Sequence, residues 1–265
     1  MPKISVNGTD LYYERHGKGI PFILICGFTN TLEMWEGIAP QLKDHFEVIT
    51  FDNRGSGRSG VTAPPYTIDL LADDVIGLMD ALEIQKSHLM GSSMGTTIVQ
   101  TLGLRYPERL LKGVLLAPFN AIPNTVIRVS KTITKLLEFG VKLELVIETV
   151  IPWLFSNTFL SDSNRVEQMI SDMVNNPFPQ TPEGYAGQLA ALAAFDLTDK
   201  LPEIETEMLI MPGEEDLFTP LRCAKILEER LPNGKLFPVP KVGHMLHIEA
   251  VETVMEETLA FCKAK

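Results

Sequence analysis

The chain has 265 residues, 45% of them hydrophobic and 22% charged, with a formal net charge of −11. That length carries one sizeable core with room for an insertion, and the composition is that of a folded globular protein. The acidic balance argues against a nucleic-acid partner, and no apolar run approaches the ~20 residues of a membrane span, so no membrane partner is expected.

The opening stretch MPKISVNGTDLYYERHG is polar and alternating, unlike a secretory leader. It reads as a hairpin turning at Asn7-Gly8. PFILICGF is an apolar run ending in glycine, which suggests a strand buried on both faces. A helix is predicted from about Thr31 to Leu42, then a second buried strand in FEVITFD, closed by the glycine-rich loop NRGSGRSG. TIDLLADDVIGLMDAL repeats apolar residues at helical spacing, SHLMG is a third buried strand, MGTTIVQTLGLRYP a helix, and LKGVLLAPF a fourth. This alternation is the signature of a mostly parallel sheet flanked by helices. From about Asn120 to Leu201 the pattern is helical, and its most apolar part, LELVIETVIPWLF, is broken by Glu144, Glu148 and Pro152. EMLIMPG and GKLFPVP then resume the strands around the helix PLRCAKILEERLP, and IEAVETVMEETLAFCKA closes the chain as a helix. The expected organisation is an α/β core in two parts, residues 1–119 and 202–265, with a helical insertion over 120–201.

Two neighbouring serines, Ser92 and Ser93, stand between the third buried strand and the following helix. In the arrangement G-x-S-x-G at such a junction, the nucleophile sits on a strained turn, and small residues two before and two after it let strand and helix pass closely. Only Ser93 has glycine at both places, Gly91 and Gly95; Ser92 has Met90 and Met94. A serine hydroxyl needs a base, and the base needs an orienting acid. Of the five histidines, His16 and His45 read as surface residues and His88 as strand packing. That leaves the loop VGHMLHIEA, where His244 directly follows Gly243 and is favoured over His247. The His-x-x-His spacing lacks further ligands for a metal. The strand end LIMPGEEDLFTP offers Glu214, Glu215 and Asp216 as acids. Cys26, Cys223 and Cys262 are far apart, with no C-x-x-C, which suits a reducing cytoplasm rather than a disulfide framework.

Together these motifs resemble the α/β-hydrolase fold over nearly the whole chain. NRGSGRSG after Asp52 is similar to the family's D-x-R-G-x-G-x-S loop, and GHMLHIE to its G-H-x-x-x-x-E. Asp216, three after Gly213 and four before Pro220, resembles the family's G-x-x-D-x-x-x-P. The resemblance implies a mostly parallel twisted sheet with a helical cap inserted after the sixth strand, and a triad of Ser93, Asp216 and His244. It also implies an oxyanion hole made by the backbone N–H groups of Phe28 and Met94. Cys26 stands where many members have histidine, at the end of a buried strand, and reads as an inert small hydrophobe. PEGYAGQLAALAAFDLTDKL, leading into MPGEEDLFTP, is similar to 3-oxoadipate enol-lactonases and related carboxylesterases. The implied activity is hydrolysis of a small to medium, mainly apolar ester or lactone, without metal or organic cofactor, with cap residues such as Trp153, Leu154 and Phe155 facing the pocket or the core. Two other readings keep the same triad: a cofactor-free peroxidase, and a small-molecule receptor with slow turnover.

Overall fold

The structure, a computed structural model, describes residues 2–263. Eight strands form one sheet: β1 (Lys3–Val6), β2 (Thr9–Gly17), β3 (Pro21–Ile25), β4 (Glu47–Phe51), β5 (Ser87–Ser92), β6 (Leu110–Leu116), β7 (Met208–Met211) and β8 (Gly234–Leu236). Their order is β1-β2-β4-β3-β5-β6-β7-β8, and every neighbouring pair from β4 to β8 is parallel. Only β2 runs against the rest, antiparallel to both β1 and β4; Asn7 and Gly8 both take positive φ and close the tight hairpin between β1 and β2. The helices are α1 (Ala39–Leu42), α2 (Ile68–Ala81), α3 (Met94–Arg105), α4 (Asn124–Glu138), α5 (Leu143–Leu154), α6 (Asn157–Leu160), α7 (Ser163–Val174), α8 (Pro182–Ala194), α9 (Leu221–Arg230), α10 (Leu246–Glu249) and α11 (Val251–Lys263).

The apolar runs that suggested doubly buried strands work by alternation. In β3, Ile23 and Ile25 enter the core that packs α2 and α3, while Phe22 and Leu24 enter the core on the other face, with Trp35 and α11. In β7, Met208 and Ile210 take the first face, Leu209 and Met211 the second. Two-residue periodicity therefore supplies both cores from one strand, and no polar side is left to water.

Helices α4 to α8 all fall between β6 and β7, and α5 and α6 bury a separate cluster of Ile147, Ile151, Phe155 and Phe159. The two ends of this segment meet through the bridge Ala121–Asp196 and the bond from Leu197 N–H to the Asn120 carbonyl, 3.0 Å.

The predicted helix over Thr31–Leu42 is instead a 3-10 turn, Leu32–Trp35, and the short α1. An uninterrupted helix would need an N–H at Pro40, which has none. The predicted closing helix is likewise split into α10 and α11 at Ala250, and its last residue, Ala264, lies outside the described residues.

Candidate active site

The register brings one set of loops to a single edge. Ile25 pairs with Gly91, Ser92 with Leu116, and Leu116 with Met211, so the chain leaves β3, β5, β6 and β7 at the same carboxyl end. This is where parallel sheets hold their sites. Ser93 follows β5 immediately and has φ 50° and ψ −114°, outside the ordinary regions for an L-residue. Its amide is held by the Leu116 carbonyl at 2.9 Å. The two glycines are steric necessities: a Cβ on Gly91 would run into the carbonyl of Gly95, and one on Gly95 into the carbonyl of Ile25. Ser92 is buried in the strand, whereas Ser93 is partly exposed.

Asp216 and His244 meet. Asp216 Oδ2 lies 2.8 Å from His244 Nδ1, and both residues are buried. Asp216 Oδ1 also accepts from the N–H groups of Phe218 (2.7 Å) and Thr219 (2.9 Å), and Oδ2 from the Thr219 hydroxyl (2.8 Å). Burial on its own would raise this carboxyl, but the charge and hydrogen bond of His244 and the Thr219 bonds outweigh it and hold it below its ordinary value. The acid loop is also fastened to the serine turn: Thr219 Oγ1 lies 3.1 Å from the carbonyl of Ala117, the residue after Leu116. Gly213 lets the acid and histidine loops touch, since a Cβ there would strike the Val242 and Gly243 carbonyls.

The other sequence candidates are engaged elsewhere. His247 is buried beside Trp35, and burial, with a smaller push from His244, lowers it to about 3. Glu215 accepts from the Asn157 N–H at 2.7 Å and so holds the start of α6. His88 is buried against Phe22 and Phe46, and His16 and His45 are exposed. The Cys26 thiol is fully buried, donates to the Phe51 carbonyl at 3.4 Å, and is pushed well up by burial and by nearby Asp52.

Gly27 lies against Ser92 and Ser93, which brings the loop after β3 to the serine turn. Among the described residues, neither the Phe28 N–H nor the Met94 N–H has a hydrogen-bond partner. Met94 opens α3, where the first N–H groups have no intrahelical acceptor. The Phe28 ring meets Tyr185 of α8 at 4.9 Å. Trp153 is partly buried and stands apart from the cluster of α5 and α6, into which Leu154 and Phe155 pack.

Three site residues escaped the sequence reading. Thr219 had a readable signal, since an aspartate three residues ahead commonly accepts from such a turn. Glu249 stood in the G-H-x-x-x-x-E pattern without a role; its carboxylate accepts from Gly243 N–H (3.0 Å) and Ser156 N–H (3.2 Å), joining the His244 loop to α6. Gln188 on α8, fully buried, donates to the Arg54 carbonyl and Ser56 Oγ, both at 2.9 Å, and accepts from Thr29 N–H at 3.4 Å. Its Oε1 also accepts from Gln180 Nε2 at 2.9 Å, but nothing local marks Gln188 as a tie to the Arg54, Ser56 and Thr29 loops, which lie more than a hundred residues away in sequence.

Known proteins resemble this chain in sequence and fold. A protein of Caulobacter sp. (strain K31), named "Putative carbamate hydrolase RutD", is 29% identical over 98% of each chain. A Synechocystis sp. protein named "Putative non-heme chloroperoxidase" is 30% identical over 93% of this chain and 94% of its own. The crystal structure of the enol-lactonase from Burkholderia xenovorans LB400 superposes with a TM-score of 0.88 at 26% identity, covering 99% of this chain and 100% of that one. The model of the alpha/beta hydrolase fold matches residues 20–251. The chain belongs to the alpha/beta hydrolase family.

Proposed function

We propose that this hydrolase cleaves carboxylic esters and lactones through Ser93, His244 and Asp216. The observation that carries the reading is the buried Asp216–His244 pair, 2.8 Å apart, at the carboxyl end of the sheet where the strained Ser93 joins β5 to α3. Ser93 Oγ attacks the carbonyl carbon while His244 Nε2 takes its proton. Asp216 holds Nδ1–H toward itself and stabilises the imidazolium. The carbonyl oxygen, now an anion, is met by the N–H groups of Phe28 and Met94, worth about 3–4 kcal/mol each. His244 then returns the proton to the leaving alcohol oxygen, and water, activated by the same imidazole, releases the acid from Ser93. In a lactone the alcohol and the acid leave as one molecule. The chemistry needs neither metal nor organic cofactor.

Residues 120–201 act as a cap over this end of the sheet, between core parts 1–119 and 202–265. Support comes from three contacts: Leu154 O accepts from His244 N–H at 2.8 Å, Tyr185 meets Phe28, and Gln188 meets Thr29. Such a roof excludes water and suits uncharged acyl or ring groups. Trp153 is assigned to the pocket wall because it stands apart from the packed cluster of α5 and α6. No helix among the described residues is long and apolar enough to cross a membrane, and the three cysteines are unpaired; we assign the protein to the cytoplasm.

The similarity to the enol-lactonase supports the lactone arm. The relative named as a chloroperoxidase favours a second reading, in which hydrogen peroxide replaces water on the acyl-enzyme and yields a peracid. The test is a turnover profile of purified protein on aryl esters of graded acyl length, on lactones, on carbamates, and on acetate with peroxide. Repeated turnover of small apolar esters or lactones, blocked by a fluorophosphonate adduct on Ser93, is expected. A single slow modification would indicate a receptor, faster perhydrolysis a peroxidase, and preference for carbamates would replace the ester assignment.

A further inference from the structure

The turn between α4 and α5 exposes an unusual amount of apolar surface. Phe139 is 84% exposed, Leu145 50%, and Leu137 and Leu143 44% each. The other exposed large apolar residues, Ile20, Val61, Leu111, Val174 and Leu217, are scattered over the chain. Scattered residues of that kind are ordinary, whereas a contiguous group on one projection marks a surface to be covered. The turn projects: Gly140 takes φ 72°, and a Cβ added there would meet nothing within 4 Å.

The charge around this tip is opposite to that of the molecule. Between Asn124 and Leu145 stand Arg128, Lys131, Lys135 and Lys142, against Glu138 and Glu144, in a chain of net charge −11. All four cations are exposed, and none makes a side-chain ion pair or hydrogen bond among the described residues. Arg128, Lys131 and Lys135 follow one another at helical spacing, so they share a flank of α4 leading to the apolar tip.

We propose that the α4–α5 tip docks on an anionic lipid surface, with Phe139 and its leucines entering the headgroup region and the four cations facing the lipid phosphates and carboxylates. Apolar side chains bordered by unpaired lysines are what such a surface recognises. The expectation of no membrane partner concerned spanning segments, and total charge entered only against nucleic acid. Neither describes a local basic tip, and the acidic remainder would turn away from the bilayer and orient the molecule tip-first. A second copy of the chain fits less well. Tip-to-tip contact would bring lysines together, and four partly exposed side chains fall well short of the ~800 Å² per partner of a standard interface.

The test is sedimentation of the full chain with vesicles of phosphatidylcholine alone and of phosphatidylcholine mixed with phosphatidylserine, at low and high salt. Binding to the mixed vesicles only, weakened by salt, is expected. Phe139→Ser and the pair Lys131→Glu with Lys135→Glu should each lower it by about tenfold or more. An unchanged melting temperature in these surface variants keeps the comparison on folded protein. Equal binding to both vesicle types, no binding to either, or binding that both variants retain would overturn the proposal. So would a concentration-dependent dimer that Phe139→Ser dissolves without any vesicle binding.

Discussion

At the level of single residues, two serines one position apart have opposite surroundings. Ser93 sits at φ 50° with its side chain at the sheet edge, and the strain of that turn is maintained by close passage of Gly91 and Gly95. Ser92 belongs to β5 and pairs in register with Leu116. Replacing Ser93 by alanine is expected to lower ester turnover by about 10⁴-fold or more, and Ser92→Ala by less than ~10-fold. A fluorophosphonate adduct mapped by mass spectrometry to Ser92 would reverse the assignment. Ser93 and His244 were legible as candidates because a strained turn and a loop at a strand end leave glycines and local order in the sequence. Glu249 was legible only as a pattern, since its task is to accept the N–H of Ser156, 93 positions away. That task can be tested by Glu249→Gln. The amide keeps one acceptor but presents donors to the second N–H, so a buried bond is lost. Stability should fall by about 1.5–3 kcal/mol in a urea titration, and kcat should fall with it because Gly243 precedes His244. Full stability with normal kcat would show that Glu249 holds nothing the site depends on.

Secondary-structure elements were legible wherever apolar spacing was long and regular, as in α2, α3 and the strands β3, β5, β6 and β7. The exception at Thr31–Leu42 shows what spacing omits. Leu32, Trp35, Ile38 and Leu42 are all buried, as a helix would have them, yet the backbone breaks before Pro40. Burial of those side chains is satisfied by two short turns, so apolar spacing does not require a continuous helix. Helices α4 to α8 were legible as helices but not in their contacts, which join residues distant in sequence. Gln188 of α8 is the clearest case, because it ties α8 to both the Arg54 loop and the loop carrying Phe28. Gln188→Leu removes the amide that meets the Arg54 carbonyl, Ser56 Oγ and Thr29 N–H, leaving Ser56 Oγ only the longer 3.3 Å bond from Gln180 Nε2. The variant is expected to lose about 2 kcal/mol or more of stability, at ~1–3 kcal/mol per unpaired buried group. If α8 also positions the Phe28 amide, kcat for small esters should fall about tenfold with little change in KM, since an oxyanion donor acts on the transition state rather than on bound substrate. A rise in KM at constant kcat would instead assign Gln188 to ground-state binding.

At the scale of the whole molecule, stability responds to pH through two buried imidazoles. His247 and His88 are buried, and burial lowers them from 6.5 to about 3 and about 4 respectively, with smaller pushes from His244 and Lys112. In the unfolded chain both imidazoles take up protons near pH 6.5, while the folded protein holds both neutral until much lower pH. The unfolded state therefore binds more protons between about pH 6.5 and pH 4. The stability tied to these residues is complete above pH 6.5 and is lost as pH falls through that window, by up to ~1.4 kcal/mol per pH unit for each imidazole. Asp216, held below its ordinary 3.8 by His244 and Thr219 despite its burial, adds a further loss at lower pH. His88 offers the cleaner test because it lies away from the loop carrying His244, on β5 between Phe22 and Phe46. Its Nδ1 has no hydrogen-bond partner among the described residues, so leucine sacrifices no bond at that atom. Urea unfolding of wild type and His88→Leu at a series of pH values from 7 to 4 should show wild type losing stability more steeply on the acid side, because the variant has one fewer proton to take up on unfolding. The difference in slope, rather than absolute stability, is the readout, since the new side chain also changes packing. Parallel curves through the whole range would mean that His88 titrates alike in both states, and that burial beside two phenylalanines does not keep it neutral.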